Sequence, residues 1–497
     1  MDVPPSRALG VLALTGILLC ALALRAPCLS WGLQKDARTW TYHPDEPLVL
    51  WLADGVRAEG WGWVPEYHIG QPTGYGLLVM GLERAFFSVA PHRDWSVADL
   101  RGEALLLRGV TLALSLLSIL LLHAIGRETF EKRAGGFAAT AAAVLWALLP
   151  FAVYFSFFHT VNEVSLAPIL LALLLWVRYD RAPSTRGAIF AACATALATG
   201  IKYTAAPLFL IGAGLPLLHR RPRDLGAFLP ASAVLFALLP FVWLAPRATL
   251  RAYANFFAPG QGIYFSQIHR PPIPAFLATY AFAFPLGLGA FVAIGLALSA
   301  RRWTTPGVRV LVVWTILYGL FLLAFGVRFA RHFLPWFPVV LLLGLAGWGE
   351  IRSSKGPARW IPPILLAAFL PILFARASLP TVARFQNDTR DAAETEVAGR
   401  TAMPIGMAWY FWTPHLRRAR SLGAEVRTEV YPWTIASDTV PRFSALLWGG
   451  PELDWIASDA FPAYRLEKRW GVGASEWAHG VEDLQYVSPE IRLYVPR

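Results

Sequence analysis

Through most of the chain, apolar residues come in long blocks rather than in alternating or one-faced patterns. A helix needs about 17–25 such residues to cross a hydrocarbon layer of ~30 Å. Blocks of this kind predict spanning helices near 8–28, 104–126, 134–155, 163–180, 186–201, 203–218, 225–245, 275–299, 308–327, 333–349 and 360–377, about eleven in all. The pair 186–201 and 203–218 is short for a full crossing and meets at Lys202. The first block, 9–24 after Arg7, has the make-up of a signal-peptide core. No Ala-x-Ala site leads into a polar domain and further spans follow, so it reads as an uncleaved first span. Leu18-Leu19 before Cys20 lacks the small residue a lipoprotein signal needs.

The connecting loops set the predicted orientation. The groups Arg127/Lys132/Arg133, Arg178/Arg181/Arg186, Arg220/Arg221/Arg223, Arg301/Arg302/Arg309 and Arg352/Lys355/Arg359 fall on one side, whereas the turn 156–162 has no Lys or Arg. Basic loops stay cytoplasmic, so an odd span count with the N-terminus inside places the C-terminus outside, on a cell (inner) membrane. Two segments then face outward. Loop 29–103 contains two stretches, 46–58 and 74–90, that read as helices with one apolar face lying along the interface, with Trp51, Trp61 and Trp63 at headgroup level. The tail 378–497 turns polar, and Ser444–Trp448, Trp455–Ala457 and Ile491–Val495 read as short strands. The expected architecture is an all-α polytopic membrane domain, 1–377, followed by a small extracytoplasmic α/β domain, 378–497.

Composition supports that reading. Hydrophobic residues make up 56% of the 497 residues and charged residues 15%, against about 25% charged in soluble domains. Mean hydropathy is +0.48. The net charge of +12 belongs to loops beside a membrane, not to a nucleic-acid interface, and no nucleic-acid partner is expected. Cys20, Cys28 and Cys193 lie in or beside apolar runs and are expected as buried small hydrophobes.

Candidate chemistry begins at Thr41-Tyr42-His43-Pro44-Asp45-Glu46-Pro47, just past the first span. Adjacent carboxylates repel, and burying them costs desolvation. Pro44 and Pro47 stiffen the backbone around them. The two acids thus open an interfacial helix, where the helix dipole favours them. An N-cap beside a solvated acid is the structural alternative.

This segment resembles the type C glycosyltransferases (GT-C), in the branch of protein O-mannosyltransferases and the lipid A aminoarabinose transferase, where bacterial members read His-Pro-Asp-Glu at this place. The resemblance continues at Gln71-Pro72-Thr73-Gly74-Tyr75-Gly76, at Ser156–Asn162, at Ala198-Thr199-Gly200-Ile201-Lys202-Tyr203-Thr204 and at Arg331-His332-Phe333-Leu334-Pro335. It spans roughly 8–377. It implies a polyprenyl-phosphate-linked sugar donor, an acceptor that is a protein, lipid or polysaccharide, and transfer on the outer face with inversion. It implies Asp45 as general base with Glu46 as its partner.

Such a reaction also needs a cationic site for the leaving phosphate and an apolar groove for the prenyl tail. The resemblance points to Lys202, flanked by Tyr203, and to Arg331, ahead of Arg328, as phosphate contacts. Lys202 could instead snorkel to the interface. Gln71 stands where the family tends to carry Lys and is the further phosphate contact expected, one that can hydrogen-bond phosphate but brings no charge. Asn162 stands where relatives often carry Asp, with Glu163 one residue on. His43, His159, Asn162, Glu163 and His332 make up the expected acceptor or sugar pocket, with His68, Tyr264 and His269 in outer loops. No cofactor is required. His43, His159 and Glu163 with Asp45 do supply side chains suited to a divalent zinc or manganese ion. In the tail, Trp409–Trp412 offers aromatic contact to lipid or sugar. A transporter or flippase, with broken helices and midplane charges, and a non-catalytic scaffold on the same fold are the competing readings.

Overall fold

The computed structural model describes residues 7–33, 41, 43, 45–65, 73–87, 97–130, 132–257, 272–324, 329–354, 356–397, 405–407, 426–427, 445–449, 464–470 and 490–496. Gln71, His68, Tyr264, His269, Arg328, Trp409–Trp412 and the predicted strand 455–457 lie outside them. The chain forms two compact units. One comprises Met1–Ala26, Leu48–Pro91 and Leu107–Leu379; the other comprises Pro27–Pro47, His92–Leu106 and Pro380–Arg497.

The first unit is helical. Its early elements are α1 (Arg7–Arg25), α2 (Glu46–Glu59), α3 (Thr73–Phe87), α4 (Val97–Thr129), α5 (Lys132–Leu148) and α6 (Pro150–Tyr154). Then follow α7 (Val161–Arg181), α8 (Thr185–Ile201), α9 (Pro207–Leu218), α10 (Phe228–Leu238), α11 (Pro240–Leu244) and α12 (Pro246–Phe257). The series closes with α13 (Pro272–Ala283), α14 (Leu288–Ser299), α15 (Val308–Ala324), α16 (Phe337–Arg352) and α17 (Ile361–Leu373). Among the described residues four helices are individually long and apolar enough to cross a membrane, or five counting one bent pair.

Several predicted spans are broken, and proline explains where. The stretch 134–155 is interrupted at Leu149, which is extended (φ −57°, ψ 128°) ahead of Pro150, because the proline ring disfavours a helical residue before it. The stretch 225–245 breaks in the same way at Leu239 before Pro240. The stretch 275–299 bends by 101° between α13 and α14, where Leu286 and Gly287 take positive φ. Two helices cross closely where side chains vanish: a Cβ on Gly295 of α14 would lie 2.0 Å from the Gly344 oxygen of α16. Small residues at such crossings let membrane helices pack backbone to backbone.

The two helices expected in the first outer loop exist as α2 and α3, and each buries part of its apolar surface against the helical body. Val49, Leu50 and Ala53 of α2 and Tyr75 and Val79 of α3 are buried with Leu107, Val161, Val164 and Ile201. Packing on α4, α7 and α8 offers those side chains denser contacts than acyl chains do. Cys20 is a correction, since it is exposed while Cys28 is buried. It shares α1 with exposed Val11, Leu12 and Leu19, the surface expected of a helix wetted by lipid.

Two buried polar devices fasten this unit. Arg25 is fully buried and donates to the carbonyls of Ala147 (2.7 Å) and Trp146 (3.2 Å) at the end of α5, carbonyls that the helix itself leaves without partners. Charged hydrogen bonds of this kind are worth about 1.5–3 kcal/mol each. Arg25→Met is therefore expected to destabilise the protein by about 3 kcal/mol, read as a lower thermal-unfolding midpoint in lipid nanodiscs. At the α7–α8 turn, buried Asp180 accepts from the Gly307 amide (2.6 Å) and from Arg309 Nε, and meets His219 Nε2 at 2.9 Å. Asp224 accepts from Tyr179 Oη (2.9 Å), Thr185 Oγ1 (2.7 Å) and Arg221 Nε (2.8 Å).

Burial pushes the Asp224 carboxyl up, but the hydrogen bonds from Thr185, Tyr179 and Arg221 outweigh it and hold it below the usual carboxylate value. A folded-state pKa below the unfolded one adds stability that is complete above about pH 4 and is lost as the pH falls through the folded value. Asp224→Asn is accordingly expected to flatten the acid limb of the unfolding profile and leave its slope near neutrality unchanged.

The second unit contains α18 (Leu379–Gln386, shared at its first residue with the other unit), α19 (Thr389–Val397) and a five-stranded mixed sheet. The strands are β1 (Ile405–Met407), β2 (Val426–Arg427), β3 (Ala445–Gly449), β4 (Tyr464–Trp470) and β5 (Ile491–Pro496), in the order β2-β1-β3-β5-β4. β1 runs parallel to β2 and β3, while β5 runs antiparallel to β3 and β4. Ala393 and Val397 of α19 cover Ile405, Leu447, Ile491 and Leu493. The predicted strands at 444–448 and 491–495 match β3 and β5; β1, β2 and β4 are additional.

Candidate active site

The buried polar groups of the first unit gather where α7 begins. Phe155–Thr160 is a turn between α6 and α7, and Thr160 caps α7 by accepting the Asn162 amide (3.4 Å). Asn162 and Glu163 in that first turn are almost fully buried, as is His159. Thr160 Oγ1 also donates to one Glu163 carboxyl oxygen. The other oxygen, Glu163 Oε1, and Asn162 Oδ1 are buried without a hydrogen-bond partner among the described residues. Buried acceptors left in this way are uncommon and ask for a ligand, water or a chemical role.

Two buried cations lie on elements packed against α7: Lys202 at the end of α8 and Arg331 in the Ala330–Phe333 turn. Lys202 ends α8 in an extended conformation (φ −150°, ψ 124°), followed by the tight turn Tyr203–Ala205 and Pro207 at the start of α9. The residue is only 7% exposed, whereas a snorkelling lysine keeps its ammonium in water. The approach of α3 shapes this corner: a Cβ on Gly74 would sit 2.2 Å from the Gly200 oxygen. Tyr203 packs beside Leu239, Phe241 and Ala252.

Arg331 lies in a 3-10 turn, Ala330–Phe333. Tyr318 Oη donates to the His332 carbonyl (2.9 Å) and Trp314 Nε1 to the Pro335 carbonyl (3.1 Å), so α15 holds the turn from both ends. The Arg331 guanidinium rests over the Phe329 ring, 4.0 Å from its centroid, and the residue is buried. His332 is half-buried and edges against Phe329. Thus Glu163, Lys202 and Arg331, predicted from separate motifs, come together.

A fourth charged group was missed in the sequence. Arg108 of α4 is fully buried, with its guanidinium 5.6 Å from the centroid of Phe157, in the turn that precedes Thr160. An arginine in an apolar block reads as a tolerated interruption of a span. Its position a turn inside the predicted helix 104–126, too deep for a loop charge, is the signal that was available.

The carboxylate doublet lies in the second unit, at the entrance to α2. His43 is fully buried and Glu46 nearly so, while Asp45 is half-buried. His43 Nδ1 accepts the Asp45 amide (3.2 Å) and the His43 carbonyl accepts the Glu46 amide (3.3 Å). With Nδ1 accepting, a neutral His43 carries its proton on Nε2. His43 thus organises the turn that leads into α2. Among the described residues no three His, Cys, Asp or Glu side chains gather to hold a metal ion, so the His43, Asp45, His159 and Glu163 set forms no such centre.

The chain is a polytopic helical membrane protein with a mixed sheet in its second unit, and its fold is that of the solved structures it resembles. The structure is similar to the crystal structure of ArnT from Cupriavidus metallidurans in the apo state, with TM-score 0.52, 13% identity and 98% of each chain covered. It is similar to the same protein bound to undecaprenyl phosphate, with TM-score 0.52, 14% identity and 98% of each chain covered. The oligosaccharyltransferase of Archaeoglobus fulgidus aligns with TM-score 0.46, 13% identity and coverage of 88% of this chain and 68% of that one. A family model described as dolichyl-phosphate-mannose-protein mannosyltransferase matches residues 98–245. No curated protein matches the sequence.

Proposed function

We propose that the protein transfers a sugar from a polyprenyl-phosphate-linked donor to an acceptor at the outer face of the cell membrane, with inversion. The observation that carries this reading is that Glu163, Lys202 and Arg331 are all buried, on α7 and on two elements packed against it, α8 and the Ala330–Phe333 turn. A carboxyl beside two cations is an arrangement that handles a departing phosphate and a polar acceptor in one place. In the reaction, the acceptor oxygen bonds to the anomeric carbon and its proton passes to Asp45. The bond from that carbon to the phosphate oxygen breaks, and the electron pair leaves with the polyprenyl phosphate. Arg331 and Lys202 hold the phosphate as its charge grows. Glu163 orients the acceptor through the oxygen that Thr160 leaves open, taking the place of the acid relatives carry one position earlier.

Support comes from the undecaprenyl phosphate bound by the structurally similar ArnT and from the description of the matching family model. The active site and the sheet-bearing unit are assigned to the extracytoplasmic side on the loop charges. The test is consumption of polyprenyl-phosphate-linked sugars by purified protein in nanodiscs. Lys202→Met is expected to raise the donor concentration needed for half-maximal rate by about 10–100-fold, the worth of one charged hydrogen bond. A donor panel left intact by the wild-type protein overturns the proposal. The broken spans, among them the 101° bend between α13 and α14, are a feature shared with transporters; lipid flipping without sugar transfer is the result that would favour that reading.

A further inference from the structure

The second unit holds a cavity of about 510 Å³ that the transfer reaction does not use. Its floor contains buried Trp31 and Phe385, and its rim contains Ser30, Arg101, Gln386 and Asp391. The floor is rigid for a visible reason. Trp31 Nε1 donates to Asp388 Oδ2 (2.8 Å), the Arg390 guanidinium grips the same carboxylate through Nε (2.9 Å) and Nη2 (2.7 Å), and Asp388 and Arg390 are both buried. Arg390 also lies over the Trp31 ring at 5.4 Å, and Phe385 meets it edge-on at 5.5 Å. A network this well satisfied locks the orientation of its members.

The chemistry of the walls selects a class of ligand. The volume falls in the ~300–1,000 Å³ range of small-molecule pockets, too roomy for a lone ion. Arg101 and Asp391 balance one another in charge, which disfavours a bare anion or cation. Ser30 and Gln386 both donate and accept, Arg101 only donates and Asp391 only accepts. A neutral molecule with many hydroxyls satisfies this set, because its hydroxyls can give and take hydrogen bonds along the rim without a net charge.

We propose that this cavity is a saccharide-binding site, separate from the donor-phosphate site, that receives a sugar portion of the acceptor. Its role toward the acceptor rests on the transfer reading above, whereas saccharide binding as such does not. The experiment is saturation-transfer-difference NMR on the full-length protein in nanodiscs. The probes are methyl α-D-mannopyranoside, methyl β-D-glucopyranoside, methyl β-D-galactopyranoside and maltotriose. At least one probe is expected to bind saturably. Gln386→Ala is expected to weaken that probe by about 3–10-fold, the worth of a neutral hydrogen bond, and Asp391→Asn by about 10-fold or more, the worth of a charged one, with unchanged thermal unfolding for Gln386→Ala. Asp45→Asn and Arg331→Met are expected to bind it as the wild type does. The inference is overturned if no probe binds saturably, or if binding ignores both rim substitutions. Saccharide binding without any sugar transfer would remove the proposed reaction and leave the cavity assignment standing. Transfer without probe binding would do the opposite.

Discussion

Asp45→Asn is expected to reduce sugar transfer by about 10²–10⁴-fold, the usual contribution of a positioned general base, while the protein still inserts and unfolds at its normal temperature. The carboxylate is half-buried and its backbone amide, not its side chain, is what His43 accepts. Asparagine preserves the volume and the backbone contact and removes only the ability to take a proton. The measurement is single-turnover consumption of donor, with thermal unfolding as the control for folding. Because His43 organises the same turn through Nδ1, His43→Ala is a useful contrast: it should lower both rate and stability. A rate for Asp45→Asn within a few-fold of wild type would remove Asp45 as the base and shift attention to Glu46 or Glu163.

Arg331→Met should show the second large effect, and it separates structure from chemistry. Arg331 is buried, and its guanidinium is held over Phe329. Methionine keeps the apolar stem and loses that cation–π contact, worth about 0.5–2 kcal/mol. Donor use should fall by about 10–100-fold for one lost charged contact. Arg331→Lys keeps a positive charge without the planar fork and should regain part of the donor use. Donor use by Arg331→Met within a few-fold of wild type would show that Arg331 does not hold the phosphate.

Much of the fold was legible because its cause is local. Long apolar blocks make helices wherever they occur, and α2 and α3 lie close to the stretches expected from the pattern of the first outer loop. The prolines at 150 and 240 carry a readable message, a break at the residue before each. The break between α13 and α14 was less legible, because Leu286 takes a positive φ that no side chain advertises. The sheet was half-read: β3 and β5 are apolar runs, whereas β4 (Tyr-Arg-Leu-Glu-Lys-Arg-Trp) is largely exposed and carries charge at most of its positions, so periodicity had little to detect. No local pattern marks Asp388, yet it is the buried centre of the Trp31–Arg390 network.

By itself the sequence determined that this is a multi-pass membrane chain, that two acids follow its first span, and that Lys202 and Arg331 belong to distinct motifs. Those properties follow from side-chain chemistry and from spacings of a few residues. Only the tertiary structure decided that Glu163, Lys202 and Arg331 lie buried on elements packed together, that Arg25 completes the end of α5, that Arg108 is buried beside the α7 turn, and that Trp31 forms the floor of a cavity with Phe385. Each of these joins residues far apart in the chain. Helix crossings and close glycine contacts choose such partners, and no local pattern of polarity records them.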